Sequence, residues 1–417
     1  VAGLRLKAGR EKGGAAAETS GKPAQAAGAE AGIKYKNRKD MALIYSKKPC
    51  VLAGTFTSNV VKAAPVKWDQ NVVEHSEFGQ AVVVNAGIAN ACTGKEGMAY
   101  CSQTAKKAGE LLHIPEEAVL VASTGVIGMQ LPMDRIEMGI EKLVRAKSEA
   151  LDAGTQAAEA IMTTDTHSKQ VAAETEIGGV KVTIGGMSKG SGMIHPNMCT
   201  MLAFVTTDAV ISKELLTKLV KEDVKDTFNM ISVDGDTSTN DTLLVMANGM
   251  AENPEILEGT QECEEFRRAL HYITESLAKM MAGDGEGATA LFEAKVIGAA
   301  TKQDARILSR SVISSNLSKA AIYGHDANFG RFLCALGYSG VTFDPEKIEL
   351  YFEGEKDRIL IYKDGEPQQY SEEQATAILS EPAVRILVDM KMGDQSATAW
   401  GCDLTYDYVK INADYRS

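Results

Sequence analysis

Short apolar runs alternate with helical spacing along most of the chain. Residues 81–84 and 118–122 are continuous apolar runs that read as buried strands, and residues 180–184 alternate in the manner of a half-buried one. The pattern expects the first strand to stop at Asn85, Ala86 and Gly87, the second to run into Ser123, Thr124 and Gly125, and the third to end at Gly185 and Gly186. Phe266, Leu270, Ile273, Leu277 and Met280 recur at helical spacing behind a Thr260 cap, and Ala305, Leu308, Val312 and Ile313 do so behind Asp304. Residues 349–352, 359–362 and 384–388 read as further strands. The expectation is an α/β protein. Residues 1–28 lack apolar periodicity and are expected to form a disordered tail.

Composition narrows the classes. The 417 residues carry 44 Lys and Arg against 56 Asp and Glu, a formal charge of −12, which argues against binding a phosphate backbone. Aromatic residues make up 6% of the chain and offer no stacking platform for single-stranded nucleic acid. No apolar run approaches the roughly 18 residues of a membrane span, and the N-terminus lacks the apolar core of a signal peptide. The cysteines (Cys50, Cys92, Cys101, Cys199, Cys263, Cys334 and Cys402) are odd in number and scattered, without C-x-x-C spacing. A disulfide framework and a zinc site are therefore not expected, and the metal expectation is none.

The stretch from Gly185 to Leu202 stands apart. It holds glycines at 185, 186, 190 and 192, then Lys189, His195, Pro196 and a Cys199-Thr200 pair ahead of an apolar run. An irregular loop feeding a buried strand suits a precursor that cuts itself. The Thr200 hydroxyl would attack the Cys199 carbonyl, and water would resolve the resulting ester. The freed α-amine, with an ordinary pKa near 8, would then serve as base for its own hydroxyl. A glycine-rich turn entering a core strand accounts for the same composition.

The run from Lys189 to Leu202 resembles the processing signature of the ornithine acetyltransferase family (glutamate N-acetyltransferase). Similar blocks follow in family order at residues 85–91, 123–128, 163–165, 233–241, 284–289 and 400–412. The resemblance implies an αββα sandwich like the amino-terminal-nucleophile hydrolases, with a smaller C-terminal α/β domain. It implies cleavage between Cys199 and Thr200 and transfer of acetyl from N-acetylornithine to glutamate through acetyl-Thr200, in arginine biosynthesis. No cofactor is implied, although acetyl-CoA is open as a co-substrate. Residues 29–199 would begin the sandwich, 200–295 complete it, and 296–417 form the smaller domain. The two chains would assemble as α2β2 in the cytoplasm, with a plastid origin left open.

The resemblance also assigns residues. Thr124 and Gly125 match the oxyanion-hole pair, and Thr163, Lys189, Thr200, Glu286, Asn412 and Ser417 match substrate-binding positions. Lys189 suits the α-carboxylate shared by both substrates, and Glu286 the ornithine ammonium. A strand-end turn, solvated charges and a frayed terminus are the plain alternatives for these residues. Residues 234–240 resemble the start of a calcium loop, but Thr239 replaces the glycine and Val245 the bidentate Glu. They read instead as hydrogen-bonded turn structure. His195 has no second His at ligand spacing and reads as orienting its loop. Cys199 departs from the family's usual Ala and could itself be a nucleophile after cleavage behind Met198, but the surrounding register favours Thr200. An aminopeptidase or amidase of similar architecture, and a self-cleaved binding protein without turnover, are the competing readings.

Overall fold

The structure is a computed structural model that describes residues 5–7 (backbone only), 24–195 and 201–414. In chain order the strands are β1 (Arg5–Lys7), β2 (Ala24–Ala29), β3 (Met41–Phe56), β4 (Gly79–Ile88), β5 (Val119–Val126), β6 (Lys169–Ile177), β7 (Val180–Lys189) and β8 (Leu202–Thr207). They continue as β9 (Ile231–Ser232), β10 (Thr242–Ala247), β11 (Leu291–Ala299), β12 (Glu349–Glu353), β13 (Arg358–Lys363), β14 (Glu366–Pro367), β15 (Ala383–Asp389) and β16 (Gln395–Cys402). The chain divides into two compact units, each built on a mixed sheet with helices, which is the α/β class expected.

The first unit carries a sheet ordered β1-β6-β7-β8-β10-β3-β4-β5, with β2 added beside β3. Every residue of β4 is buried, as a strand covered on both faces requires. Val82, Val84, Leu120 and Ala122 point into one core, which the helix Leu151–Ala160 closes with Ala153, Ala157 and Ala158. Ala81, Val83, Val119 and Val121 point into the other, closed by Cys101, Ala105 and Ala108 of Glu96–Leu112 and by Ile136 and Ile140 of Met133–Ala146. A slip of one residue would exchange the two sets, so both cores fix the register.

Two expectations fail here for the same reason: small residues do not mark turns or tails when something packs on them. All of Ala24–Ala29 but its last residue falls in the stretch assigned to the tail, yet it pairs with β3 from Ala24↔Ser46 to Ala29↔Met41. Its alanines alternate between the cores, Ala26 to one and Ala27 and Ala29 to the other. Likewise β7 does not stop at Gly185 and Gly186 but continues to Lys189. A Cβ on Gly186 would lie 3.0 Å from Ile273 and Leu277, on the helix Gln261–Gly283 that lies on this strand.

The outer edge of β5 is closed by side chains. Trp68 Nε1 donates to the Val119 carbonyl at 3.0 Å, and the Val121 N–H donates to Asp69 at 2.8 Å, both from the helix Ala64–His75. An open edge would present unpaired groups; here the strand carrying Thr124 is held in place.

The second unit holds residues 191–195, Asp226–Asp236 and 278–414. Its sheet runs β14-β13-β12-β15-β11-β16-β9. Phe292 and Phe352 meet Phe332 of the helix Phe329–Gly337 in edge-on contacts, with centroids 6.1 and 5.7 Å apart. The alternate residues Glu293, Arg385 and Glu353 form an ion row across β11, β15 and β12. The helix Lys302–Ser314 is capped by Thr301, whose hydroxyl accepts from the Asp304 N–H at 3.0 Å. Asp304, the expected cap, instead sits in the first turn, where an acid suits the helix dipole. Thr260 caps its helix as expected, accepting from the Cys263 N–H at 3.2 Å.

Candidate active site

In the first unit the ends of β5 and β7 bring a cation to a hydroxyl. Lys189, 8% exposed, ends β7, and its Nζ donates to Thr124 Oγ1 at 3.4 Å. An ammonium only donates, so Thr124 accepts this bond and its own hydroxyl hydrogen is left to point elsewhere. Gly125 follows with φ +128°, and a Cβ there would collide with the Gly87 carbonyl on β4. Only glycine allows this close approach at this dihedral.

Asp165 organises the same group. Its carboxylate takes Lys169 Nζ at 2.7 Å, the Gly190 N–H at 2.7 Å and the Thr163 N–H at 3.0 Å, and it lies 4.0 Å from Lys189 Nζ. Burial pushes the Asp165 carboxyl up, but Lys189 and Lys169 outweigh burial and hold it well below the usual carboxylate range. The structure thus brings Thr163, Lys189, Thr124 and Gly125 into one neighbourhood, with Asp165 and Lys169 as their support. Sequence reading missed the latter two; their spacing of four, both charged beside an apolar strand, was the available signal.

Immediately downstream of position 200 the chain is fixed. Leu202 is paired with Lys189 on one side and Thr242 on the other, and the Met201 carbonyl accepts the Thr242 N–H at 2.7 Å. Asp241 is 1% exposed beside this bond, with its Oδ2 unpartnered. Burial pushes its carboxyl well up, against hydrogen bonds from Ser238 and Thr57 and the charge of Lys189.

The second unit joins Glu286 to Asn412. Asn412 Nδ2 donates to Glu286 Oε2 at 2.7 Å, and the Glu286 N–H donates to the Ser191 carbonyl at 2.8 Å. Gly192 leaves the space that the Glu286 carboxylate fills, since a Cβ would overlap it. Asp234 is the hydrogen-bonded turn residue expected, accepting from the Met193 and Ile194 N–H groups at 2.6 and 2.9 Å. Cys199, Thr200 and Ser417 lie outside the described residues. Among the described residues no acidic, His or Cys cluster could hold a metal ion, and no helix is long and apolar enough to cross a membrane.

In the first unit a strand-end hydroxyl thus stands beside a buried cation, and in the second an acid is paired with an amide. Residues 25–417 match the profile of the ArgJ family, and the chain belongs to that family. It is 51% identical over 392 residues to the arginine biosynthesis bifunctional protein ArgJ of Caldanaerobacter subterraneus subsp. tengcongensis, covering 94% of this chain and 96% of that protein. The protein of the same name from Bacillus subtilis is 46% identical over 399 residues, with 96% of each covered. Among solved structures, ArgJ of Bacillus halodurans is 47% identical over 50% of this chain and 97% of its own, with a TM-score of 0.49. The ornithine acetyltransferase of Mycobacterium tuberculosis, solved with ornithine, is 39% identical over 46% and 98%, with a TM-score of 0.42.

Proposed function

We propose that this chain is a self-processing acetyltransferase of arginine biosynthesis that moves acetyl from N-acetyl-L-ornithine to L-glutamate. The observation that carries the reading is the Lys189–Thr124 pair, which sets a buried cation beside a strand-end hydroxyl. Family membership and the near-full-length relatives named as arginine-biosynthesis proteins support it. Their common description as bifunctional supports a second activity, acetylation of glutamate by acetyl-CoA.

In this reading Thr200 Oγ attacks the Cys199 carbonyl, the C–N bond breaks as the acyl group passes to oxygen, and water hydrolyses the ester. The products are a Cys199 carboxylate and a free Thr200 α-amine. That amine takes the hydroxyl proton as Thr200 Oγ attacks the acetyl carbonyl of N-acetylornithine. The Thr124 hydroxyl and the Gly125 N–H hold the oxyanion, and the ornithine amine leaves with the proton. The glutamate amine then attacks acetyl-Thr200 by the reverse route. Lys189 takes the α-carboxylate common to both substrates. Glu286, with Asn412, takes the ornithine ammonium, and Thr163 and Ser417 complete the substrate contacts. The two chains stay together as α2β2, in the cytoplasm.

Acetyl transfer from labelled N-acetylornithine to glutamate, at varied concentrations of both, tests this. Parallel lines in double-reciprocal plots are expected of a covalent intermediate. Release of free acetate without acetylglutamate would assign a hydrolase instead.

A further inference from the structure

The segment entering the junction, Ser191 to His195, is held residue by residue. Ser191 accepts from Glu286, Asp234 binds the Met193 and Ile194 N–H groups, and the Ile194 carbonyl accepts from Val233 at 2.7 Å. Met193 is kept at φ +55°, a conformation few L-residues adopt without such support. His195 closes the series. Arg310 Nη2, on the helix Lys302–Ser314, lies 3.0 Å from His195 Nε2, and His195 Nδ1 lies 2.9 Å from Ser232 Oγ on β9.

These two contacts fix the imidazole's protonation. A guanidinium has no acceptor, so Nε2 must present its lone pair to Arg310, and the hydrogen sits on Nδ1 and goes to Ser232. Burial and the Arg310 charge push His195 down to about 4, against the pull of Asp234. The ring is therefore neutral at pH 7 with its lone pair already occupied. A general base needs that lone pair, so His195 has no base to offer, and its bonds serve to fix the chain.

We infer that the Arg310–His195–Ser232 row is a positioning device for self-cleavage: it anchors the chain upstream of the Cys199–Thr200 bond in the precursor. This rests on the self-processing reading above. An N-to-O acyl shift requires the hydroxyl and the preceding carbonyl in near-attack geometry, and loss of about 1 Å of placement costs about 10²-fold in rate. His195 is the last described residue before the junction, and the row holds it to the helix Lys302–Ser314 and to β9. Once the bond is cut, the anchor holds only a chain end, and acetyl transfer no longer depends on it.

The test follows splitting of full-length chain made by a pulse of cell-free synthesis, sampled over time on denaturing gels, with acetyl transfer measured on the fully split protein. His195→Leu and Arg310→Met are expected to split about 10²-fold more slowly, while kcat/KM for transfer stays at the wild-type value. His195→Gln, whose side-chain carbonyl can accept from Arg310, is expected to restore much of the rate. If either variant fails to fold, Ser232→Ala takes its place, with slowed splitting again expected. Wild-type splitting rates in these variants would overturn the inference, as would a slowed rate accompanied by an equal loss of transfer. A wild-type chain that never splits would instead overturn the self-processing reading itself.

Discussion

The Lys189 ammonium donates to the Thr124 hydroxyl across 3.4 Å, from the last residue of β7 to the end of β5. In the function proposed above, this one bond would couple substrate recognition to oxyanion support. Thr124→Val, which keeps the shape and removes the hydroxyl, is expected to lower kcat by about 10²–10³ with little change in KM. Lys189→Met should weaken kcat/KM more than tenfold for both N-acetylornithine and glutamate. The double variant should lose less than the product of the two. A strictly multiplicative loss in steady-state kinetics would show the pair to be uncoupled.

Asp165 and Lys169 are both without side-chain exposure and 2.7 Å apart. Asp165→Asn leaves a buried ammonium without its carboxylate, which costs about 3–5 kcal/mol. A group whose folded pKa is depressed contributes stability above its unfolded pKa and loses it as pH falls through the folded value. The melting-temperature deficit of Asp165→Asn should therefore hold at neutral pH, shrink progressively as pH falls through the ordinary carboxylate range and close only in stronger acid. A deficit that vanishes already near pH 5 would mean the pair is not ionised as described.

Asp241 has the opposite sign. Its folded pKa lies above the ordinary 3.8, so folding binds a proton and stability falls as pH rises past that value. Asp241→Asn, neutral and nearly isosteric, should melt higher than wild type at pH 7, and the gain should shrink as pH approaches 4. Scanning calorimetry across that range checks it; an equal gain at every pH would exclude a titrating carboxyl.

The chemistry was more legible in the sequence than the packing around it. Thr124 and Gly125 lie where an apolar run ends, so the residues themselves pointed to a strand end; Lys189 read as part of an irregular loop, whereas β7 runs on to it. Gly186 and the alanines of β2 misled, because a small residue under a helix and a small residue in a turn look alike in one dimension. Asp165 and Lys169 were legible as charges but not as a buried pair, since the pairing of Lys169 with Ser188 and the bond from the Gly190 N–H to Asp165 come from residues about twenty positions or more away. His195 could be read as orienting its loop, but its tautomer came only from Arg310, a helix more than a hundred positions away.

Glu286 accepts from Asn412 at 2.7 Å, and glutamine at 286 would keep that acceptor while removing the charge. Glu286→Gln should weaken ornithine binding more than tenfold and glutamate binding much less. Separate kcat/KM values for donor and acceptor measure the difference, and equal losses would leave Glu286 a turn residue that fills the space beside Gly192.

The most direct measurement is the intact mass of the denatured protein before and after brief mixing with N-acetylornithine. The account predicts two chains split between Cys199 and Thr200, the second beginning at Thr200 and gaining the mass of one acetyl group on mixing. A single uncut chain, a cut behind Met198, or an acetyl group carried by the first chain would contradict it.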